Sequence, residues 1–494
     1  KPMLTAVAAA LFSLGACVSA QAADLSTCTT CHSNITKAHA GAAHKDIACT
    51  SCHSGVDQHL KKVTDRPTVN MDPATCGGCH QAQYKSLYKD DGRAARQSKK
   101  APNGPAPDPF FDRALGAHGF TVEHDLPRAH VWMAIDQFIV DRAFGGRFEP
   151  KDGWLYATLD GGKSYKVWDV LKDNYPDNNA QKVHKPGTAA AANAVCWSCK
   201  STDVMMDWAY LGDKVEGAQF SRSSNPVDVV RKVNHAINCN FCHDPHTAQP
   251  RVVRDALIDA VTRDDKSVPN VYRDVAAHPT KLDVKDVGVR GFTRKVAYMD
   301  KADSNLMCAQ CHVEYICNPG FDAKTGAKIG FDSRLTNHFP FVNADEIEQY
   351  YDKIGFRDFK HNLTGAALVK MQHPDTETYF GSTHDKAGAT CATCHMPKVK
   401  DEKTGKMYTV HWATSPRHYM QETCLTCHKD KTAEQMNKAI DAMKGHYDGK
   451  VREAEARMND MFNAFELAIA SGVDEKTLDE ARKLHSSAHI NWEY

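Results

Sequence analysis

Seven CxxCH motifs run along the chain and constrain its fold more than any other feature. Two cysteines three apart with a histidine after the second are the sequence mark of covalent c-type haem attachment. The thiols add to the two vinyl groups of one porphyrin, and the histidine ligates the iron. The seven predicted attachment sets are Cys28, Cys31 and His32; Cys49, Cys52 and His53; Cys76, Cys79 and His80; Cys239, Cys242 and His243; Cys308, Cys311 and His312; Cys391, Cys394 and His395; and Cys424, Cys427 and His428.

Two other uses of cysteine fit this pattern less well. A cysteine-rich exported protein is ordinarily a disulfide scaffold, and CxxC pairs also build tetrahedral zinc sites. Sixteen of the 18 cysteines fall in CxxC pairs, which leaves only Cys17 and Cys317 outside them. Zinc would not require a histidine directly after the second cysteine seven times, so the series favours haem.

The stretch CWSCK breaks the series by placing lysine where the histidine should be. As an eighth member it predicts an eighth haem, attached at Cys196 and Cys199 with Lys200 as its proximal ligand. A free amine with a pKa near 10.4 is protonated, but a metal ion displaces that proton. An amine donor makes this iron electronically different from the others, and we therefore expect the substrate there.

The histidine count is consistent with this assignment. Of 26 histidines, seven are proximal ligands, which leaves 19. Electron-transfer haems fill both axial positions, whereas a catalytic haem keeps one open. The remaining histidines are enough to supply seven distal ligands.

The N-terminal residues predict export. An apolar stretch with small residues up to Ala22 is typical of a secretory signal over residues 1–23, and hence of a periplasmic protein. Alternatively, the residues before Cys17 resemble a lipoprotein cleavage box that would leave this cysteine acylated. No later apolar run reaches membrane-spanning length. The 61 basic and 61 acidic side chains are mixed along the chain, so nothing favours a nucleic-acid partner.

The motif spacing predicts three parts after the signal. Residues 24–110 hold three haems in a length too short for an ordinary side-chain core, so the porphyrins themselves would form the core. Residues 111–440 form a five-haem catalytic domain. Residues 441–494 have helical periodicity, and we expect the chain to extend beyond both printed ends.

One predicted helix, within LPRAHVWMAIDQFIVDRAFGG, carries an arginine on its apolar face. Arg142 follows the apolar positions at helical spacing, and a buried guanidinium needs an anion. That anion is either a haem propionate or an anionic substrate.

Several stretches together resemble the cytochrome c nitrite reductases, periplasmic enzymes that reduce nitrite to ammonium. They are CWSCKSTDV, CAQCHVEYICNPGF, EQYYDKIGF, the QHP at 372–374 and GKMYTVH. The resemblance covers roughly residues 196–430, and eight haems make the chain similar to the octahaem branch of that group. It implies a mainly α multihaem c-type cytochrome with little β structure.

The resemblance also implies roles for individual residues. Lys200 corresponds to the proximal ligand of the active haem, and Tyr315 and His373 correspond to proton donors, with a protonated His373 adding positive charge. Arg142 corresponds to the pocket arginine, although Arg128 and Arg147 lie close to it in the sequence.

Further assignments follow from the same resemblance. The calcium site of the family corresponds to the side chains of Glu314 and Gln372 and to the carbonyl oxygens of Tyr315 and Lys370, and oxygen ligands suit this hard cation. His384 and His411 correspond to distal haem ligands.

The segment Tyr315-Ile316-Cys317 resembles a second feature of the octahaem branch, a thioether between tyrosine and cysteine. In an extended segment residues i and i+2 face the same side, so the geometry permits the bond. The alternative is a free buried thiol at Cys317.

The implied reaction is the six-electron reduction of nitrite. The electrons would come from an unidentified cytochrome or quinol-linked donor, and the protein would form a homo-oligomer, either a trimer or a hexamer. Hydroxylamine or sulfite reduction is an alternative. Resemblance to the octahaem hydroxylamine oxidoreductases would require histidine at position 200. A non-enzymatic electron conduit would have every haem six-coordinate.

Overall fold

The computed structural model describes residues 26–70, 72–89, 109–114, 130, 194–208, 213–224, 229, 235–263, 280–289, 291–317 and 319–494. The predicted signal, Cys17 and the three candidate pocket arginines at 128, 142 and 147 lie outside the described residues. Contacts between residues divide the chain into two units. Unit 1 comprises Lys1–Asn70 with Pro245–Ala248, and unit 2 comprises Met71–Asp244 with Gln249–Tyr494.

Unit 1 consists of short elements around the first two CxxCH motifs. Helix α1 (Ser26–Ala40) carries the first motif and leaves helical geometry at His32, whose φ is −115° and ψ 39°. Helix α2 is Val56–Lys61. Strands β1 (His53–Ser54) and β2 (Thr68–Val69) pair antiparallel.

Helices of unit 2 are mostly short until the C-terminus. They are α3 (Pro73–Gly77), α4 (Gln81–Leu87), α5 (Pro109–Ala114), α6 (Ala194–Trp197), α7 (Thr202–Asp207), α8 (Cys239–Cys242), α9 (Asp255–Thr262), α10 (Ser304–Ala309), α11 (Ile347–Ile354), α12 (Asp375–Tyr379), α13 (Thr383–Lys386), α14 (Cys391–His395), α15 (Cys424–Cys427), α16 (Ala433–Ala470) and α17 (Glu475–Glu493).

The strands of unit 2 form small antiparallel sheets. They are β3 (Arg251–Val252), β4 (Leu282–Val289), β5 (Phe292–Met299), β6 (Gly320–Asp322), β7 (Lys328–Ile329), β8 (Phe356–Arg357), β9 (Phe359–Lys360), β10 (Ala367–Leu368), β11 (Lys398–Lys400) and β12 (Met407–Thr409). Among the described residues, two sheets have three strands, in the orders β3-β5-β4 and β7-β6-β8. The fold is mainly α with little β structure, as predicted from the sequence.

The two C-terminal helices begin at capping residues that the sequence displays. Thr432 and Gln435 form a capping box at the start of α16, and Asp474 caps α17. Along α16 the buried residues are Glu455, Met458, Phe462 and Phe465, at spacings of three and four that define one helical face. The predicted helical C-terminus is therefore confirmed.

No helix in the part of the chain that the structure describes has the length and apolar content needed to cross a membrane.

Candidate functional site

Short helical turns present the motif cysteines. Helices α8, α14 and α15 each begin at the first cysteine of a motif, and residues i and i+3 of a helix lie on the same face. None of the 16 cysteines that the structure describes forms a disulfide bond. The two thiols of each described CxxC pair are therefore not joined to each other or to another described cysteine.

Cysteines of different motifs lie next to one another in unit 2. The pairs are Cys76 with Cys239, Cys199 with Cys311, and Cys308 with Cys391. The motif at 308–312 therefore contacts both the lysine motif and the motif at 391–395. Groups attached at these cysteines would be neighbours.

Lys200 lies in the turn between α6 and α7. Its backbone N–H donates to the Trp197 carbonyl at 3.0 Å. The next residue, Ser201, caps α7 by accepting from Val204 N, and its hydroxyl donates to the His235 carbonyl at 2.8 Å. Trp197 is fully buried and Lys200 half-buried, so a rigid turn holds the lysine at the edge of the core.

Two other predicted catalytic residues lie beside this turn. The ring centres of Tyr315 and His373 are 5.6 Å apart, and those of His312 and His373 are 6.0 Å apart. Lys200 is close enough to lower the pKa of both His373 and His130. The structure brings together three of the four predicted catalytic residues, while the fourth, Arg142, lies outside the described residues.

The electrostatics of His373 differ from the sequence-based expectation. Desolvation, the neighbouring His312 ring and the Lys200 ammonium lower the pKa of His373 to about 3. A ring with this pKa is neutral at pH 7 in the protein alone, whereas the mechanism expected from the resemblance uses it protonated. A bound anion would raise this pKa, because a nearby negative charge favours the imidazolium.

The predicted calcium ligands centre on Glu314, which is completely buried. Its carboxylate accepts hydrogen bonds from the Tyr351 hydroxyl at 2.7 Å and from Gln372 N at 2.6 Å. Burial raises the pKa of Glu314 to about 8. The Lys370 ammonium pairs with Glu493 at 3.2 Å. A buried carboxylate fits a hard cation. The side-chain amide of Gln372 donates to the Cys317 sulfur at 3.5 Å.

Tyr315 and Cys317 point to the same side of an extended segment. Ile316, between them, forms an antiparallel bridge with His338 and packs in a different hydrophobic cluster from its two neighbours. Tyr315 and Cys317 share one cluster, and Cys317 is buried. The alternation that a crosslink needs is therefore present.

The two predicted distal histidines each lie near motif histidines. The ring centres of His384 and His428 are 6.3 Å apart. His411 has its Nδ1 2.8 Å from the Thr409 carbonyl. Burial and then the nearby rings of His243 and His80 lower the pKa of His411.

Sequence reasoning missed a buried arginine at this site. Arg254 has no solvent exposure, and its Nε and Nη2 groups have no hydrogen-bond partner among the described residues. Its charge acts on Cys199 and Cys311, the cysteines of two adjacent motifs. A buried guanidinium requires an anion, and the carboxylate of a haem propionate meets that need. The only sequence signal was an arginine inside the apolar stretch RVVRDAL.

Comparison with known proteins places these residues in a family. The family model of cytochrome c552 matches residues 152–494. The chain belongs to the cytochrome c552 family. The three motifs between residues 28 and 80 precede the matched segment.

Individual relatives agree with this assignment. The chain is 29% identical over 375 residues to a cytochrome c-552 of Haemophilus influenzae, covering 71% of this chain and 59% of the relative. It is 27% identical over 356 residues to the cytochrome c nitrite reductase subunit NrfA of Nitratidesulfovibrio vulgaris, covering 67% of this chain and 58% of the relative. The match thus spans somewhat under two thirds of the length of these relatives.

A solved structure shows the same fold. It is a cytochrome c nitrite reductase of Desulfovibrio desulfuricans, a protein described as having two calcium sites. The TM-score is 0.55 with 22% identity, and the alignment covers 86% of this chain and 79% of the other.

Proposed function

We propose that this chain reduces nitrite to ammonium at a haem attached to Cys196 and Cys199, with Lys200 as its proximal ligand. The observation that supports the proposal most directly is that the side chains of Tyr315 and His373 lie close to each other and that His373 lies close to Lys200. Membership of the cytochrome c552 family and the relative named as a nitrite reductase support the same reaction.

The proposal includes eight haems and places the chain in the octahaem branch of the nitrite reductases. Its support is the count of motifs, seven CxxCH and one CWSCK. It also includes the predicted division into a three-haem part at 24–110, a catalytic part at 111–440 and a helical end at 441–494.

The reaction consumes six electrons and eight protons per nitrite and yields ammonium and two waters. When bound, the haem offers an open iron position to the substrate and delivers the electrons. Tyr315 and His373 supply protons to the substrate oxygens. Burial lowers the pKa of His373, and the negative charge of nitrite would raise it, so that the ring takes up a proton as the anion binds. Arg142 would contribute further positive charge.

The proposal also assigns a calcium ion to Glu314, Gln372 and the carbonyl oxygens of Tyr315 and Lys370. The ion would offset the charge of the buried Glu314 carboxylate and hold the segment that carries Tyr315. Because calcium displaces the proton from a carboxyl with a pKa of about 8, calcium affinity should increase between pH 6 and 8.

A thioether between Tyr315 and Cys317 is proposed on the geometry of the extended segment. Mass spectrometry of a peptide that contains both residues should show a mass about two hydrogens below that of the unlinked form. An unmodified mass contradicts the crosslink and leaves a free buried thiol.

The remaining parts of the proposal concern location and partners. We infer a periplasmic protein that receives electrons from a cytochrome or a quinol-linked donor and assembles as a homo-oligomer. The predicted signal and the alternative lipid anchor at Cys17 lie outside the described residues.

Replacing the proximal ligand tests the proposed activity. In the Lys200→His variant we expect ammonium production from nitrite, driven by a reduced viologen dye, to fall at least about tenfold, or about 1.4 kcal/mol in the barrier. Lys444→His, an exposed position on α16, is the matched control and should retain full activity. Undiminished turnover in Lys200→His removes the lysine from the mechanism.

Two further measurements separate this function from the alternatives. Steady-state rates on nitrite, hydroxylamine and sulfite should favour nitrite. A pure electron conduit has all its haems six-coordinate, so a high-spin ferric signal in the resting protein excludes it.

A further inference from the structure

Two histidine pairs in unit 1 have a common spacing. The ring centres of His32 and His59 are 6.1 Å apart, and those of His53 and His246 are 6.2 Å apart. His32 and His53 are the proximal histidines of the first two motifs, and the other member of each pair belongs to no CxxCH motif. Each motif histidine therefore faces a second imidazole across a gap.

The distance between the ring centres is too long for direct contact between the rings. It matches the distance expected when both imidazoles ligate one metal ion. Carbon atoms in contact are about 3.5–4 Å apart. A metal–imidazole bond is about 2 Å long. A ring with bonds of about 1.35 Å has its nitrogens roughly 1.1 Å from its centre. Two imidazoles on opposite sides of one metal ion therefore have ring centres about 6 Å apart.

The same spacing occurs at the haem motif for which a distal ligand is already expected. His384 and His428 have ring centres 6.3 Å apart. At His312 two rings satisfy the spacing, His130 at 6.3 Å and His373 at 6.0 Å, so spacing by itself does not select a ligand. A second observation is needed, and unit 1 supplies one for each pair.

His59 is oriented by its other nitrogen. Its Nδ1 is 3.0 Å from the carbonyl oxygen of Asp65, which can only accept a hydrogen bond. Nδ1 therefore carries the proton, and Nε2 is the nitrogen with a lone pair for a metal. Metal-ligating histidines commonly donate their second N–H to a backbone carbonyl in this way.

His246 is held in place through its chain segment. The segment Pro245–Ala248 groups with unit 1 by its contacts, whereas the residues on either side of it group with unit 2. The Pro245 carbonyl is 3.0 Å from Nδ1 of His44. Ala248 has a φ of 62°, in the left-handed region that an alanine adopts only when its surroundings impose it.

We propose that His59 and His246 are the distal axial ligands of the haems attached at residues 28–32 and 49–53, and that both haems are six-coordinate. This inference rests on the haem count of the proposed function, and it adds a ligand set for the part of the chain that precedes the family match. With both axial positions filled, these two haems transfer electrons and bind no substrate.

The test uses the purified full-length holoprotein with His59→Ala and His246→Ala, and with the exposed His446→Ala as control. Intact mass first gives the number of haems. Each alanine variant should then bind one more carbon monoxide per chain after reduction than the parent, gain one high-spin ferric haem, and return to low spin on addition of imidazole. His446→Ala should match the parent in all three measurements.

A second set of variants covers the case in which an alanine variant fails to accumulate. In His59→Met and His246→Met the haem should stay six-coordinate with a higher reduction potential, because a methionine ligand raises it. The inference is overturned if full haem content accompanies unchanged carbon monoxide binding, or if the potentials of the methionine variants do not move. The absence of haem at residues 28–32 or 49–53 in the parent protein also overturns the inference, and it overturns the count of eight haems. Nitrite reduction is measured separately, so that failure of the inference is distinguished from failure of the proposed activity.

Discussion

Unit 1 and the C-terminal part of unit 2 differ in the kind of side chain that they bury. Within residues 26–70 the buried side chains are those of Thr36 and His39, both polar, while Leu60 and Val63 are 51% and 68% exposed. In residues 319–494 apolar side chains such as Phe356 and Phe462 are completely buried.

The difference shows where the two regions obtain their stability. Burial of apolar area, worth about 25 cal/mol per Å², stabilises the C-terminal part in the ordinary way. The described residues 26–70 show no such core, and under the proposed function bound porphyrins would supply the apolar surface against which their side chains pack. The haem-packed N-terminal part stays a prediction, which the following experiments test.

Removing one haem from unit 1 should have the largest effect. In a Cys49→Ser, Cys52→Ser variant we expect protease cleavage within residues 26–70 to accelerate at least about tenfold, since a region without an apolar core opens once its haem is lost. Limited proteolysis followed by mass spectrometry locates the cleavage sites.

The matched control removes a haem from unit 2. In a Cys424→Ser, Cys427→Ser variant α16 and α17 should stay protected, because their own apolar faces pack on each other. Equal protection of residues 26–70 in the parent and in the first variant would contradict the comparison.

A cavity in the apolar core of unit 2 should have the next largest effect. Phe462 packs against Phe110, at 6.2 Å between ring centres, and against the His361 ring at 5.2 Å. Phe462→Ala should reduce the free energy of unfolding of the C-terminal helices by about 3–5 kcal/mol. Hydrogen exchange of α16 and α17 measures the change.

Leu467→Ala is the control for Phe462→Ala, since Leu467 lies on the same helix and is 70% exposed. It should change stability by no more than about 0.5 kcal/mol. Equal losses in the two variants would show that the helix is not stabilised by its buried face.

The smallest predicted effect is a dependence of the C-terminal helices on pH. Burial and then the nearby His361 and His489 rings lower the pKa of His485 to about 3, from about 6.5 in an unfolded chain. Below pH 6.5 the unfolded state binds more protons, so stability is complete above that pH and is lost as the pH falls towards 3. The slope is at most about 1.4 kcal/mol per pH unit.

His485→Gln should flatten this slope while keeping a polar group near the Thr364 hydroxyl, which lies 2.9 Å from the His485 ring. Thermal unfolding of the C-terminal helices at pH 7 and pH 5 measures the slope. An identical slope in the variant would mean that other groups cause the acid sensitivity.

Local sequence patterns predicted the helical end of the chain well. The apolar spacing of residues 441–494 predicted helix there, and the structure has helix there, while the capping residues Thr432 and Gln435 were identified only in the structure. The long hairpin of β4 and β5 was not predicted. Its signal was present in the three valines of Leu282–Val289 and in Gly291, whose φ of 104° suits a turn after the first strand.

Residues that act on one another across the chain were harder to predict. The sequence did not indicate a role for Arg254, because that role depends on its burial beside Cys199 and Cys311. The low pKa of His373 likewise depends on Lys200 and His312, which the fold brings close to it.

The sequence by itself was enough to predict where haems attach and which attachment differs. That chemistry needs only five consecutive residues, so no knowledge of packing is required. Tertiary structure alone decided which histidine faces His53 and which cysteines of different motifs meet. It also decided that Nε and Nη2 of Arg254 have no hydrogen-bond partner among the described residues. These contacts join residues far apart in the chain, and they exist only after the backbone has been folded and its side chains packed.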